Sequence, residues 1–287
     1  MKKVAAFALY HCDTPRIPVL LSVPHAGRDY PPELLANLRV PPAEVLRLED
    51  RYADRLVRPA IAAGYPAIVA QCARAWIDLN RADNDIDTGM VSGADDALNA
   101  SPSSKARGGL GLFPRRLQTT GELWRNPMVP AEVEQRINNV HRPYHRAIAE
   151  TLSAMRARFG AAILLDVHSM PPIPVVAPDG PPRIVVGDRF GGSAASVYAE
   201  LVLSRAQAQG MRATLNTPYS GDYILKKHGN PARGIHALQL EIDRTLYLDS
   251  DLREPILAMK SVAGFIQSVV SDLVEQALGG GFAEAAE

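Results

Sequence analysis

Short, uninterrupted apolar runs along this chain alternate with stretches in which apolar residues recur every three or four positions. These are the marks of buried strands and amphipathic helices in an alternating α/β fold. The run IPVLLSV, ending at Val23, reads as a first strand, and residues 43 to 63 follow as a helical stretch. Pro59 interrupts that stretch and predicts a kink, or a second helix with Pro59 in its first turn. PAIVAQ and ARAWIDL then read as strands, as do AILLDV, RIVVG and HALQLEI further on. Between them Val133, Ile137, Val140, Tyr144, Ile148, Leu152, Met155 and Phe159 keep helical spacing. They predict a long helix after Pro130, kinked at Pro143 and stopped by Gly160. Residues 193–209 and 255–278 predict two more helices over the sheet, and the tail GGGFAEAAE reads as frayed.

From ADNDIDTGM to LQTTG runs a Gly-, Ser- and Asp-rich connection of about forty residues, well beyond the usual loop length, which predicts a lid or substrate wall at 83–121. No repeat or linker divides the rest, so residues 1–287 are expected to form a single domain.

Composition removes several classes of function. Hydrophobic residues make up 47% of the 287 positions, enough for a sizeable core. Lys plus Arg balance Asp plus Glu at 31 each, so no global field recruits nucleic acid or an anionic membrane. No segment approaches membrane-spanning length. MKKVAAFALY starts basic and apolar, but polar HCDTPR follows without a small-residue cleavage site, which argues against a signal peptide. Cys12 and Cys72 form neither a C-x-x-C pair nor a secreted framework, so a cytoplasmic, reducing setting is expected.

The apolar runs around His25 (IPVLLSVPHAG) and His168 (AAILLDVHSMPP) end alike, each delivering a histidine into a turn of small residues and prolines. Imidazole binds a borderline cation without adding charge, and carboxyl ends of neighbouring strands are where open α/β sheets hold ligands. A catalytic metal wants about three protein ligands and an open position. LEDRYADRL offers Glu49, Asp50 and Asp54 as the third, with Asp50 and Asp54 one helical turn apart on a shared face. One could bind metal while the other orients a ligand. Asp166, two residues before His168, points to the same side of its strand and could contribute.

Hydrolysis also needs a base, and HALQLEIDR places Glu241 near the end of an apolar strand, where a carboxylate is costly unless used or paired. Arg244 is its candidate structural partner. Asn80 and Arg81 follow ARAWIDL at an expected strand end, where a guanidinium can grip a carboxylate bidentately. An acidic substrate follows from that placement, and Arg115, Arg116 and Arg125 extend the possibility. In NTPYSGDY, Tyr219 stands beside Ser220 and Gly221, a turn able to offer a hydroxyl and backbone N–H groups to a polarised carbonyl.

Competing signals are weaker. His141 and His145 have metal-ligand spacing, but position 142 is arginine where H-E-x-x-H requires glutamate, so a packing or substrate-contacting role fits better. RGGLGLFP lacks the spacing of a phosphate loop, and no serine sits in G-x-S-x-G.

SVPHAG, DRYADRL, DLNRADND, RPYH, LLDVHSMP, NTPYSGDY and LEIDRTLYLD, in order from about residue 20 to 249, resemble the N-formylglutamate amidohydrolase family. The resemblance implies a three-layer αβα fold with a mixed central sheet, phosphorylase/hydrolase-like and related to zinc carboxypeptidases. It also implies a zinc-dependent hydrolase that splits N-formyl-L-glutamate into formate and L-glutamate in histidine catabolism. Carried over residue by residue, it gives His25, Asp54 (with Asp50 next) and His168 as Zn2+ ligands, other divalent ions being acceptable to the same donors. Glu241 becomes the base, and Asn80, Arg81 and Arg116 become substrate contacts, joined by Tyr219 and Gly221 of the turn described above. Arg51 and Tyr52 stand where dedicated deformylases of the family carry tryptophan and histidine. A zinc hydrolase of another N-acyl amino acid is the nearest alternative, and a non-catalytic small-molecule binder on the same scaffold the more distant one.

Overall fold

The computed structural model describes residues 5–93, 100–174 and 180–280. Among the described residues are nine strands: β1 (Phe7–Tyr10), β2 (Val19–Val23), β3 (Ala67–Ala70), β4 (Arg116–Leu117), β5 (Gly121–Glu122), β6 (Ala162–Met170), β7 (Ile184–Gly187), β8 (Ala213–Leu215) and β9 (Ile235–Asp243). Seven form a sheet in the order β1-β3-β2-β6-β9-β7-β8, and β4 pairs with β5 in a small antiparallel hairpin. The large sheet is mixed. β2, β6 and β9 run parallel, and β7 lies antiparallel to β9 while parallel to β8. The protein is therefore a mixed α/β fold, as expected. Alternating-type reading missed β1, β8 and the hairpin because they are too short or too exposed to leave an apolar run.

Two compact units divide the chain. One, drawn from Leu9–Val23, Arg51–Ile68 and Ala147–Glu287, carries the middle of the sheet. Strands β2 and β6 are buried at every position, and β9 at all but its first. Such two-sided burial explains why these strands read as continuous apolar runs rather than alternating ones. Helix Met259–Gly280 packs against Ser196–Ala208, Arg58–Ala62, β2 and β6. Both C-terminal helices thus start a few residues later than their sequence pattern indicated.

The other unit, drawn from Met1–Ala8, Pro24–Asp50 and Val69–Arg146, is built of short helices and bonded loops. ARAWIDL is not a strand. After β3 its backbone turns, with Trp76 N donating to Ala73 O at 2.8 Å and Asp78 N to Leu112 O at 2.8 Å. Asn80 and Arg81 accordingly lie in a turn and not at a strand end.

The stretch expected to be one helix over 43–63 is broken into Pro42–Val45, a 3-10 turn at Leu46–Leu48, Ala53–Leu56 and Arg58–Ala62. Its interruption is Glu49 to Tyr52, where Tyr52 takes the left-handed φ of 61°. Asp50 is therefore outside any helix, and Asp50 and Asp54 do not share a helical face. Pro59 sits in the first turn of Arg58–Ala62, one of the two expected outcomes.

The long helix is present as Pro130–Arg136 and Arg142–Phe159, joined by a π-helical segment Ile137–His141. Pro143 lacks an N–H, and the wide turn before it accommodates the missing bond. Of the eight stripe residues all but Phe159 are buried, and Gly160 ends the helix with φ of 81°. Between 83 and 121 the described residues are anchored: Asp85 accepts Ser103 N at 2.7 Å, and Arg115 pairs with Asp87 at 2.7 Å and with Glu122. Residues 94–99 of that stretch and the tail from 281 lie outside the described residues. No described helix is long and apolar enough to cross a membrane.

Candidate metal centre

Strand β2 delivers the chain into Pro24–Gly27. Gly27 has no room for a side chain, since a Cβ there would come 1.9 Å from Cys72 O. Asp29 N donates to Gln71 O at 2.9 Å and Ala73 N to Asp29 O at 3.0 Å, which locks the loop bearing His25. His25 O in turn accepts Asp50 N at 2.9 Å, and the two side chains meet with Nδ1 3.4 Å from Asp50 Oδ2. The other ring nitrogen, Nε2, lies 2.7 Å from Asp78 Oδ1.

Asp78 is fully buried, which alone would raise its pKa. Arg74, His25 and Arg81 outweigh burial and hold its carboxyl well below the usual range. As a carboxylate it can only accept, so His25 Nε2 is the donor, and in the neutral ring Nδ1 presents a lone pair toward Asp50. Two electron-rich atoms facing one another inside the protein are what a cation between them would reconcile. Nδ1 is buried and makes no hydrogen bond.

His168 repeats the arrangement on β6. Its Nε2 is 2.8 Å from Asp166 Oδ2, and Asp166 Oδ1 accepts the Ser22 hydroxyl at 2.7 Å. Asp166 therefore orients the histidine, a carboxylate–imidazole pairing found behind many metal ligands. Register sets the two histidines at neighbouring strand ends: Ser22 of β2 is level with Asp166 of β6, and three residues beyond Ser22 comes His25. His25, Asp50 and His168 each offer a ligand atom within 4.8 Å of the others, a group that could hold a metal ion. Of the two acids expected as third ligand, the group contains Asp50. Asp54 is half-buried in the first turn of Ala53–Leu56 and is not in the group, while Glu49 accepts the Tyr30 hydroxyl at 2.5 Å.

Glu241 stands level with His168 on the adjacent strand, so both side chains are on one face of the sheet. Gln239 shares that face and donates its amide to Glu241 Oε1 at 2.9 Å. Arg244 donates to Ser169 Oγ at 3.1 Å. Gly187 of β7 is level with Gln239, and the backbone of Ser220–Gly221 lies directly over it; a Cβ on Gly187 would come 2.6 Å from Ser220 C. The turn containing Tyr219 and Gly221 is thus stacked on the face that carries Glu241.

Asn80 and Arg81 are buried beside Asp78, with Asn80 N donating to Asp78 Oδ1 at 2.8 Å. Arg81 Nε donates to Leu110 O at 2.9 Å. His141 and His145 hold this segment from below, Nε2 to Arg81 O at 2.8 Å and Nε2 to Leu79 O at 3.0 Å, a packing role. Arg116 is exposed on the hairpin with Nε on Gly108 O. Arg51 and Tyr52 both bond Glu254, at 3.1 Å each, and Tyr247 OH donates to Arg51 O at 3.0 Å. That pair fixes the turn immediately after Asp50.

Sequence reasoning missed Asp78, Gln239 and Ser22. Asp78 was legible as an acid inside the apolar run AWIDL, and Gln239 and Ser22 as polar residues inside strands, each costly to bury without a task.

A mixed-sheet α/β protein with carboxylate-backed histidines at strand ends and a glutamate beside them belongs, by architecture and site, with hydrolytic enzymes. A sequence profile of the N-formylglutamate amidohydrolase family matches residues 17–248. The chain belongs to that family. N-formylglutamate deformylases of Pseudomonas aeruginosa and Pseudomonas putida are each 30% identical over 270 residues, covering 93% of this chain and 94% of theirs. The crystal structure of N-formylglutamate amidohydrolase from Ralstonia eutropha JMP134 superimposes with a TM-score of 0.88 at 28% identity, over 96% of this chain and all of that one.

Proposed function

We propose that this enzyme hydrolyses N-formyl-L-glutamate to formate and L-glutamate, as a step of histidine catabolism, using a divalent metal held by His25, Asp50 and His168. The observation that carries this reading is the convergence of these three side chains, with Asp78 and Asp166 fixing the ring nitrogens that face away. Two imidazole nitrogens and one carboxylate oxygen are a donor set that zinc accepts, with room for a fourth ligand. A bound zinc ion supplies Lewis acidity to the scissile amide and to the attacking water.

The chain's own residues do the rest. Glu241, its Oε1 held by Gln239, removes a proton from the attacking water and returns it to the leaving nitrogen. The substrate's α-carboxylate is assigned to Asn80 and Arg81, whose positions the two helix histidines fix. Tyr219 and Gly221 border the acyl amino acid, and Arg116 is the outermost contact. Binding at carboxylates remote from the amide orients the scissile bond.

Formate release, measured on N-formyl and N-acyl derivatives of acidic and neutral amino acids, tests the reading. N-formyl-L-glutamate should be the best substrate, with activity lost to a chelator and restored by zinc. Faster release from another acyl amino acid would reassign the substrate. Stoichiometric metal without turnover on any amide would make the protein a binder.

A further inference from the structure

Ladder register sorts the side chains on the face that carries Glu241 into rows. His168 of β6, Glu241 of β9 and Val185 of β7 are level in one row, and Asp166, Gln239 and Gly187 in the row before it. The row beyond is the outer one, where β6 and β9 both end and Met170 is level with Asp243. Arg183, the residue before β7, completes it. Asp243 N donates to Arg183 O at 2.9 Å, and Arg183 Nε lies 2.9 Å from Asp243 Oδ2. Side chains two apart on a strand share a face, so Arg183 rises from the same face as Glu241. It stands about 7 Å along the sheet from Glu241 and one strand spacing, about 5 Å, across.

This guanidinium is held in place and only partly used. Nε is buried and makes no hydrogen bond despite its approach to Asp243. Nη2 donates to Thr245 Oγ1 at 2.8 Å, and Thr245 donates both its N and its hydroxyl to Asp243 Oδ1, each at 2.8 Å. Asp243 is buried, so the frame that orients the arginine is fixed from inside. Among the described residues Nη1 has no partner, and the side chain is 35% exposed, within reach of a ligand. The opposite direction along the sheet is closed. At Gly187 the Ser220–Gly221 backbone lies over the face, 2.6 Å from where a Cβ would stand. The outer row is thus the open direction from Glu241. Two residues of strand are comparable to the five bonds separating the formyl carbon from the side-chain carboxyl of a glutamyl substrate.

We propose that Arg183 is a specificity-determining residue, its guanidinium, set by Asp243 and Thr245, binding the side-chain carboxylate of the acyl amino acid through Nη1. This deepens the proposed function and rests on it for the identity of the substrate. The readout is the ratio of kcat/KM for N-formyl-L-glutamate over N-formyl-L-glutamine, a pair that differs only in that charge. Arg183→Gln should reduce the ratio by roughly 10- to 100-fold, the scale of a charge-assisted contact, and Arg183→Lys should recover part of it. Arg183→Gln alone leaves the Asp243 carboxylate buried without its cation, so the measurement is repeated in Arg183→Gln combined with Asp243→Asn, where the same loss is expected. An unchanged ratio in the double variant, or an equal loss on both substrates, would make Arg183 only a structural clamp on the end of β9 and overturn the assignment. Calorimetric titration with glutarate separates this failure from that of the proposed function. If the wild type hydrolyses neither substrate, the proposed function falls; glutarate binding that weakens at least about tenfold in the double variant still supports the anion site. Glutarate binding that is absent, or equal in both proteins, overturns it.

Discussion

Asp166 carries no ligand in this account, yet its replacement should be felt at the metal. It is fully buried and accepts two bonds, from Ser22 Oγ at 2.7 Å and from His168 Nε2 at 2.8 Å. In Asp166→Asn the amide oxygen can keep the histidine bond, and the Ser22 hydroxyl can rotate to accept from the new NH2 group. Both contacts then survive as neutral bonds, each weaker by about 1 kcal/mol than its charge-assisted form. A neutral amide is easier to bury than a carboxylate, so the net loss should fall near 1–2 kcal/mol. Asp166→Ala strands both buried donors at about 1–3 kcal/mol each, so it should cost about 4 kcal/mol. Metal affinity should fall roughly 10- to 100-fold in Asp166→Asn, because the His168 ring loses the anion that fixes its tautomer and basicity. Denaturant melts of the metal-free proteins give the first pair of values, and zinc titration against a competing chelator gives the last. If Asp166→Asn binds zinc as tightly as wild type, or Asp166→Ala is no less stable than Asp166→Asn, Asp166 does not orient His168.

Asp50 and Asp54 are separated by the same titration: Asp50→Asn should weaken zinc binding by more than about 100-fold, whereas Asp54→Asn should stay within about twofold of wild type; the reverse order would make Asp54 the ligand. Burial pushes the Cys72 thiol up to about 12, leaving roughly one part in ten thousand as thiolate at pH 8. Iodoacetamide should therefore label Cys12, which is less buried, ahead of Cys72 in the native protein, and comparable rates would contradict the close packing of Gly27 on Cys72.

The sequence made the sheet centre legible because two-sided burial leaves apolar runs, as in β6 and β9, and made His25, His168 and Glu241 visible as polar interruptions at their ends. It left the third acid open between Asp54 and Asp50 for a local reason. LEDRYADRL has helical spacing, and nothing in its composition announces the left-handed Tyr52 that breaks the helix and frees Asp50 to meet His25. ARAWIDL misled in the same way, since its apolar residues are buried in a turn and not along a strand. Asp78 and Gln239 act through hydrogen bonds to residues distant in sequence or two along a strand, which periodicity does not encode.

Most directly, the account rests on Glu241 acting beside a metal that it does not hold. Zinc content and formate release from N-formyl-L-glutamate, determined on the same preparations of wild type and Glu241→Gln, test this. The expected result is about one zinc per chain in both, with turnover in the variant lower by at least about 100-fold, the scale of a lost general base. Near-normal turnover in Glu241→Gln, or loss of its zinc, would contradict the account.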